Sequence, residues 1–230
     1  VEWAYYVEIP QFGFEPFSED SYAMATAYGL FHWGISAWSI YGIPAIALSI
    51  AFYKYNLNSL RLSSSMKGLG IKNFESSFLG RFIDLIFILA TVGAAGGTIG
   101  SYVPMLSSGL LNLININNML YIDIGVICLC VALFGFSVFK GLEKGIKNLS
   151  NCNMLLAILF LTFVFISSDG SKILNSAISG IHYSVNYFWE MSTLGISERS
   201  EFAKEWTIFY WAWWVAFGPL VGLFIARISK

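Results

Sequence analysis

The sequence predicts an all-α, polytopic membrane protein. Of its 230 residues, 57% are hydrophobic and only 12% are charged, whereas about a quarter of the residues in an ordinary soluble domain are charged. The mean hydropathy is +0.66, and the apolar stretches are continuous, without the alternation of a membrane β-barrel. Because unsatisfied backbone groups are not tolerated in lipid, such stretches must cross a bilayer as helices.

Composition also excludes several other classes of protein. Thirteen Lys and Arg residues against 14 Asp and Glu give a net charge of -1, so no basic field exists to hold a nucleic acid. The apolar content excludes disorder, and three cysteines are too few for a disulfide scaffold. Cys128, Cys130 and Cys152 lie in or beside apolar stretches with no CxxC or His/Cys cluster. We therefore expect buried small hydrophobes and no metal site.

Five apolar segments are candidates for membrane spans. They cover residues 30–53, 82–111, 121–139, 150–168 and 206–226, and we assign residues 1–230 to a single transmembrane domain. About 20 apolar residues are needed to cross a bilayer. Four segments meet this length easily, whereas the fourth has a short apolar core and needs the residues before Met154 to complete its crossing.

The positive charges orient these spans. With residues 1–29 placed outside, ten Lys and Arg residues become cytoplasmic and three remain outside. The ten are Lys54, Arg61, Lys67, Lys72, Arg81, Lys140, Lys144, Lys147, Arg227 and Lys230. This is the bias of the positive-inside rule, and it favours both the number of spans and a multi-pass location in the cytoplasmic membrane of the cell.

An amphipathic helix is predicted between the fourth and fifth spans, over residues 172–193. Its apolar residues recur at three- and four-residue spacing: Ile173, Leu174, Ala177, Ile178, Ile181, Val185 and Phe188. Such a pattern is typical of a helix that lies along the membrane surface. We expect it to cap the bundle on the outer side, and the alternative is a contact surface in a homo-oligomer.

Aromatic side chains in two spans are the main functional signal. Trp38 and Tyr41 are three residues apart near the middle of the first span, and Trp214 and Phe217 have the same spacing in the fifth. Each pair therefore shares a helix face, whereas tryptophan normally collects at the membrane interfaces. No Asp or Glu lies at mid-depth, so facing rings would form an uncharged box that suits a quaternary ammonium group. The alternative is that these rings only pack the bundle.

Three stretches of the sequence resemble the betaine/choline/carnitine transporter family. They are His32-Trp33-Gly34 with Trp38 and Tyr41, then Phe209 to Trp214, and the tail Phe224 to Ser229. The resemblance extends over essentially the whole sequence and includes Glu2-Trp3-Ala4-Tyr5-Tyr6 and Pro104-Met105. It implies part of a twelve-helix fold with two inverted five-helix repeats of the sodium/amino-acid symporter type. On that map the chain begins at the end of the third helix and stops after the eighth.

The resemblance also implies a set of site residues. The aromatic box of the family corresponds to Trp33, Trp38, Tyr41 and Trp214, and Trp213 resembles a neighbouring position on the permeation path. Phe217 stands where members often have Trp or Tyr, which bears on which substrate is carried more than on its class.

The second span is rich in glycine, and we expect a discontinuous or flexible helix that exposes carbonyls to ions. Thr91 and Thr98 are the candidate sodium ligands, although many relatives have Thr-Ser where this chain has Gly97-Thr98. The alternative for the glycines is close packing against a neighbouring helix.

His32, Asp84 and Asp123 are ionisable residues within the predicted spans. His32 is a candidate proton relay, but we favour a packed, hydrogen-bonded histidine. Asp84 and Asp123 are expected to be structural. No Ser/His/Asp, Cys/His or phosphate-binding glycine motif is found in a credible context, so we do not expect an enzyme.

The sequence thus predicts a secondary active transporter of glycine betaine, choline or carnitine that works by alternating access. The expected partners are this quaternary-ammonium ligand and the lipid bilayer, with no cofactor, and Na⁺ as a candidate coupling ion. Two alternatives are an amino-acid or polyamine transporter on the same scaffold and a membrane sensor that binds the ligand without moving it.

Overall fold

The structure is a computed structural model that describes residues 2–55, 61–71, 73–111, 113, 119–141, 145, 147–193 and 200–228. Within these residues the chain forms nine α-helices and no β-strand, which confirms the all-α prediction. The helices are α1 Glu2–Glu8, α2 Glu19–Trp33, α3 Ile35–Tyr55, α4 Phe78–Leu111, α5 Met119–Phe139, α6 Lys147–Ser167, α7 Gly170–Asn186, α8 Phe188–Ser192 and α9 Glu201–Ile228. Two short 3₁₀ segments, Leu62–Leu69 and Phe74–Ser76, precede α4.

Five stretches of the described chain are long and apolar enough to cross a membrane. They are Glu19–Tyr55, Phe78–Leu111, Met119–Phe139, Lys147–Ser167 and Glu201–Ile225. The first of them is longer than the predicted segment 30–53 and consists of two helices, α2 and α3, that meet at Gly34. A Cβ at Gly34 would lie 2.4 Å from the carbonyl oxygen of Leu30, so this tight junction between the helices requires glycine.

The second span was predicted to be discontinuous or flexible, and helix α4 is not discontinuous. It continues without a break from Phe78 to Leu111, through its glycines and Pro104. Each glycine costs a helix only about 1 kcal/mol relative to alanine, whereas a broken apolar helix leaves several backbone groups unpaired. Ser101 and Ser108 also donate to carbonyl oxygens one turn earlier, those of Gly97 and Pro104, at 2.9 and 2.7 Å.

The described chain divides into two compact units, residues 1–94 with 171–230 and residues 95–170, and the division falls within α4. In the first unit, α1, α2, α8 and α9 share a core that includes Tyr6, Met24, Tyr28 and Phe31. Tyr6 and Tyr28 stack within it with ring centroids 4.0 Å apart. This core fixes the end of α2, where the candidate site begins.

The second unit has a small core of Val103, Ile122 and Val126. Helix α6 buries no side chain against the described residues, as expected for an apolar helix whose faces are matched to lipid or to other spans. The prediction of buried cysteines is wrong for the described chain, because Cys128 and Cys152 are exposed and Cys130 is half-buried. Cys128 lies away from the buried face of α5, which is formed by Ile122 and Val126.

The predicted surface helix is divided into α7 and α8, which are separated at Tyr187. It packs on α2 through its small and polar residues, not through its apolar stripe. Gly180 lies against Thr26, and the Ser184 hydroxyl donates to the carbonyl oxygen of Ala27 at 3.2 Å. The seven apolar residues of the predicted stripe are all exposed, because the small side chains are the ones that permit close approach to α2.

Candidate aromatic binding site

Helices α3 and α9 lie side by side, and glycines of α9 set the distance between them. A Cβ at Gly222 would lie 2.9 Å from the backbone nitrogen of Ala45 and 3.0 Å from the carbonyl carbon of Pro44. At Gly218 the nearest atom, in the Pro44 ring, would be 3.5 Å away. The two backbones therefore approach closely at this end, which brings the ring-bearing segments of both helices together.

Four of the predicted site residues form one connected set of rings, which we call the aromatic cluster: Trp33, Trp38, Tyr41 and Trp214. Trp214 is its centre, with its ring centroid 5.1 Å from that of Trp33 and 5.7 Å from that of Tyr41. Trp38 joins through Tyr41 at 5.9 Å. All three contacts are close to perpendicular, with interplanar angles of 78°, 83° and 87°, so edges meet faces as aromatic quadrupoles prefer.

The rings of the aromatic cluster differ greatly in exposure. Trp214 is 8% exposed, whereas Trp33 and Trp38 are 46% and 63% exposed. Described residues therefore leave much of these two indoles uncovered. Helix α3 contains no Asp or Glu, and α9 carries such residues only near its start, at Glu201 and Glu205. The cluster thus presents electron-rich ring faces with no carboxylate on its own stretch of helix.

The two remaining predicted ring positions lie at the margin of the cluster or outside it. Trp213 contacts Trp214 with centroids 6.3 Å apart and packs edge-to-face on Phe209 at 5.1 Å. Phe217 is half-buried on α9, and the ring contacts between described residues do not join it to the cluster. The shared face that the sequence predicted for Trp214 and Phe217 is thus too coarse a criterion for ring contact.

Behind the cluster lies a hydrogen-bond network that holds two of its indoles. The Trp33 indole N–H donates to the Tyr210 hydroxyl at 3.1 Å, and that of Trp214 donates to the main-chain carbonyl of His32 at 2.8 Å. The Tyr210 hydroxyl in turn donates to the Glu2 carboxylate at 3.0 Å. Trp33 and Trp214 are therefore fixed in orientation by polar partners as well as by packing.

His32 is at the centre of this network and is fully buried. Its Nδ1 contacts Oε1 of Glu2, its Nε2 lies 3.1 Å from the Thr207 hydroxyl, and its ring stacks on that of Tyr210 at 4.7 Å. The preferred prediction of a packed, hydrogen-bonded histidine is confirmed. Sequence reasoning gave no role to Glu2, Thr207 or Tyr210, because their partners are 30 to 208 positions away in the chain.

The candidate sodium ligands are not brought together by any described contact. Thr91 donates to the carbonyl oxygen of Phe87 at 2.8 Å, and Thr98 is half-buried further along α4. The two residues belong to different compact units, so each is described by itself. In the part of the chain that the structure describes, no group of three or more His, Cys, Asp or Glu residues is arranged to hold a metal ion.

Asp84 has a structural contact outside the aromatic cluster. Its carboxylate accepts hydrogen bonds from the backbone N–H and the hydroxyl of Ser63, at 2.9 and 2.8 Å. Asp84 thus ties α4 to the 3₁₀ segment that follows α3, in agreement with the structural role predicted for it.

Known proteins are similar to this chain over most or all of its length. The profile of the BCCT, betaine/carnitine/choline family transporters, matches residues 1–230. The chain is 36% identical over 209 residues to the glycine betaine transporter OpuD of Bacillus subtilis (strain 168), which covers 90% of this chain and 40% of that protein.

Two other relatives are named for different substrates. A carnitine transporter of Acinetobacter baumannii is 31% identical over 232 residues, which is 100% of this chain and 42% of the relative. The high-affinity choline transport protein of Escherichia coli (strain K12) is 34% identical over 208 residues, 90% of this chain and 30% of the relative. The chain thus spans less than half the length of these relatives.

Proposed function

The chain belongs to the betaine/carnitine/choline transporter family, and from this premise we propose that the full-length protein is a secondary active transporter of a small quaternary-ammonium compound. Glycine betaine, choline and carnitine are the candidate substrates, since relatives of this chain are named as transporters of these compounds. The protein is a multi-pass membrane protein, and we place it in the cell membrane. It is a carrier and not an enzyme.

The single observation that carries the proposal is the contact of Trp214 on α9 with both Trp33 on α2 and Tyr41 on α3. A quaternary ammonium group cannot donate a hydrogen bond and is cheap to dehydrate, so it requires ring faces more than acceptors. Each ring face contributes about 0.5 to 2 kcal/mol when water is excluded. A primary ammonium would require carboxylate or carbonyl partners, and the stretch that carries the cluster offers no carboxylate.

We assign Trp33, Trp38, Tyr41 and Trp214 to direct contact with the substrate. Trp213 and Phe217 would line its route or bound the site. In alternating access, one group of helices rocks against the rest so that the site opens to one side of the membrane at a time. Ion coupling is expected of the family, and Na⁺ near Thr91 or Thr98 remains our candidate. A homo-oligomeric assembly is also a proposal.

Uptake of radiolabelled glycine betaine, choline and carnitine into proteoliposomes containing the full-length protein tests this proposal. Trp38→Ala and Trp214→Ala should each lower uptake by about twofold to thirtyfold, the loss expected from one ring face. Trp189→Ala is the matched control, because this indole is 71% exposed on α8 and lies outside the cluster.

Three outcomes would overturn the proposal or its site. Unchanged uptake in both cluster variants would show that the substrate does not bind at the aromatic cluster. Uptake that lysine or a polyamine inhibits but choline does not would favour the amino-acid or polyamine alternative. Saturable binding without accumulation in the vesicles would favour a sensor. Repeating the uptake with and without a sodium gradient decides whether Na⁺ is the coupling ion.

A further inference from the structure

The hydrogen bonds around Glu2 and His32 determine which atoms of this pair donate and which accept. The Thr207 hydroxyl has one proton and donates it to the carbonyl oxygen of Ala203, 2.7 Å away. It must therefore accept from His32, so Nε2 of the imidazole carries a proton. Nδ1 of the same ring then faces Oε1 of Glu2.

The other carboxylate oxygen of Glu2 is constrained in the same way. The Trp33 indole N–H can only donate, so the Tyr210 oxygen accepts from it. The Tyr210 proton is then free to go to Oε2 of Glu2, 3.0 Å away. Oε2 is thus an acceptor, and the contact between Oε1 and Nδ1 requires one proton of its own. Without that proton, the lone pair of Nδ1 would face the carboxylate directly.

We propose that Glu2 and His32 form a proton-binding site directly behind the aromatic cluster, and that its proton and a cationic ligand bind in competition. This inference rests on the proposed function for the identity of the ligand. With the proton present, the pair is neutral as a whole, whether it is written as imidazolium and carboxylate or as imidazole and carboxylic acid. Without the proton, the pair carries one negative charge.

That negative charge would lie close to a ligand at the aromatic cluster, because the hydrogen-bond network connects the pair to two of its indoles. Glu2 reaches Trp33 through the single Tyr210 hydroxyl, and His32 carries the carbonyl that holds Trp214. A buried charge acts in a medium of low effective dielectric constant, where charges interact more strongly than in water. Loss of the proton therefore strengthens binding of a cation, and by linkage the cation expels the proton.

Among the residues that the structure describes, the titratable groups that contact His32 are Glu2 from α1, Tyr28 from its own helix and Tyr210 from α9. Both tyrosines are neutral phenols at physiological pH, so they polarise the pair without adding charge to it. The His32 side chain is 0% exposed and that of Glu2 is 12% exposed. Solvent contact through Glu2 gives the proton a route in and out.

Glu2→Gln is the decisive variant, because it can keep every hydrogen bond of the network. The amide N–H donates to Nδ1 of His32 and the amide oxygen accepts from Tyr210, so the variant reproduces the hydrogen bonds of the protonated pair. It has no carboxylate to share a proton with His32, and the amide N–H is not released as the shared proton is. Glu8→Gln is the matched control, because Glu8 is an exposed carboxylate on the same helix.

The experiment is calorimetric titration of the full-length protein in nanodiscs with choline, in two buffers of different ionisation enthalpy, between about pH 5 and pH 9. The wild type and Glu8→Gln should release up to about one proton per ligand at low pH, and choline should bind about tenfold more weakly there than at high pH. Glu2→Gln should bind choline with no proton release and no pH dependence. Binding by the wild type without proton release, or equal release in Glu2→Gln, would overturn the proton site and leave the proposed function intact.

A second measurement does not depend on the ligand. Solid-state ¹⁵N spectra of the histidine side chains should contain a signal from a hydrogen-bonded Nδ1 that moves with pH in the wild type. In Glu2→Gln that signal should become a non-protonated acceptor and stop moving. If no quaternary-ammonium compound binds at all, the proposed function fails, and identical histidine titration in both proteins would remove the proton site as well.

Discussion

The indole N–H of Trp214 on α9 donates to the main-chain carbonyl of His32 on α2, with 2.8 Å between the two atoms. This bond joins residues that are 182 positions apart, and it holds the central ring of the aromatic cluster by its edge. The ring itself contacts Trp33 and Tyr41 within the cluster. The same residue therefore links two helices by a hydrogen bond and joins the rings of the cluster.

Trp214→Phe should separate these two roles. The variant keeps a ring but leaves the His32 carbonyl without its donor, and an unpaired buried acceptor costs about 1 to 3 kcal/mol. We expect a lower thermal midpoint and weaker ligand binding, both measurable by the fluorescence-detected unfolding of the full-length protein with and without choline. Trp213→Phe removes the adjacent indole and should leave the thermal midpoint nearly unchanged. Equal midpoints for the two variants would contradict the role given to this bond.

Gly222→Ala should separate α3 from α9. The added Cβ would lie 2.9 Å from the Ala45 nitrogen and 3.0 Å from the Pro44 carbonyl carbon, and a backbone cannot yield as a side chain does. We expect a destabilisation of about 1 to 3 kcal/mol, as for overpacked cores, together with a loss of uptake. Gly218→Ala is the control on the same helix, because its Cβ would meet the Pro44 ring at an ordinary 3.5 Å. Normal stability and uptake in Gly222→Ala would show that the two helices can move apart at no cost.

The attachment of α7 to α2 should weaken in strong alkali. The Tyr183 hydroxyl donates to the Asp20 carboxylate at 2.5 Å, and this bond to a negative acceptor raises the pKa of Tyr183 to about 12. A raised pKa means that the folded state favours the neutral phenol. The stabilisation is therefore complete below the ordinary tyrosine pKa of about 10 and is lost as the pH rises towards 12.

Hydrogen exchange of α7 in the full-length protein, measured on either side of pH 10 after correction for the intrinsic rate, tests this dependence. Tyr183→Phe should exchange faster at neutral pH and lose the additional rise in alkali. Tyr121→Phe, which removes an exposed phenol from α5, should behave as the wild type. The prediction is wrong if α7 of Tyr183→Phe still loosens between about pH 10 and pH 12 as the wild type does.

Asp84→Ala should release the 3₁₀ segment Leu62–Leu69 from α4. Two hydrogen bonds from Ser63 end on this carboxylate, and Ser63 is fully buried, so its donors would lose their partners. We expect faster cleavage by an added protease within this segment. Ser65→Ala removes a hydroxyl that bonds only within the segment, to the carbonyl oxygen of Leu62, and should change cleavage much less. Equal rates in the two variants would count against Asp84 as the attachment.

Much of the cluster could be predicted from the sequence because its spacing is local. The three-residue interval between Trp38 and Tyr41 places both on one helix face, and their rings do meet. The same interval fails for Trp214 and Phe217, since neighbours from other helices decide which rings touch. Contacts between α2 and α9 depend on partners far along the chain, so no local sequence pattern predicts them.

Other features of the structure could not be predicted from the pattern of apolar residues. The junction at Gly34 lies inside a continuous apolar run, so hydropathy alone merges α2 and α3 into one segment. In α4 the glycines were weighed by their helix propensity, but backbone hydrogen bonding in an apolar medium outweighs it. Glu2 and Tyr210 are 208 positions apart, so their hydrogen bond could be found only in the folded chain.

The junction at Gly34 affects the distance between two indoles of the aromatic cluster. It puts Trp33 at the last position of α2 and Trp38 in the first turn of α3. The two indoles therefore belong to different helices that join at Gly34. A small change in the angle between α2 and α3 would widen the gap between the two indoles while each side chain keeps its rotamer. The aromatic cluster can thus widen or narrow through a movement of the main chain at Gly34.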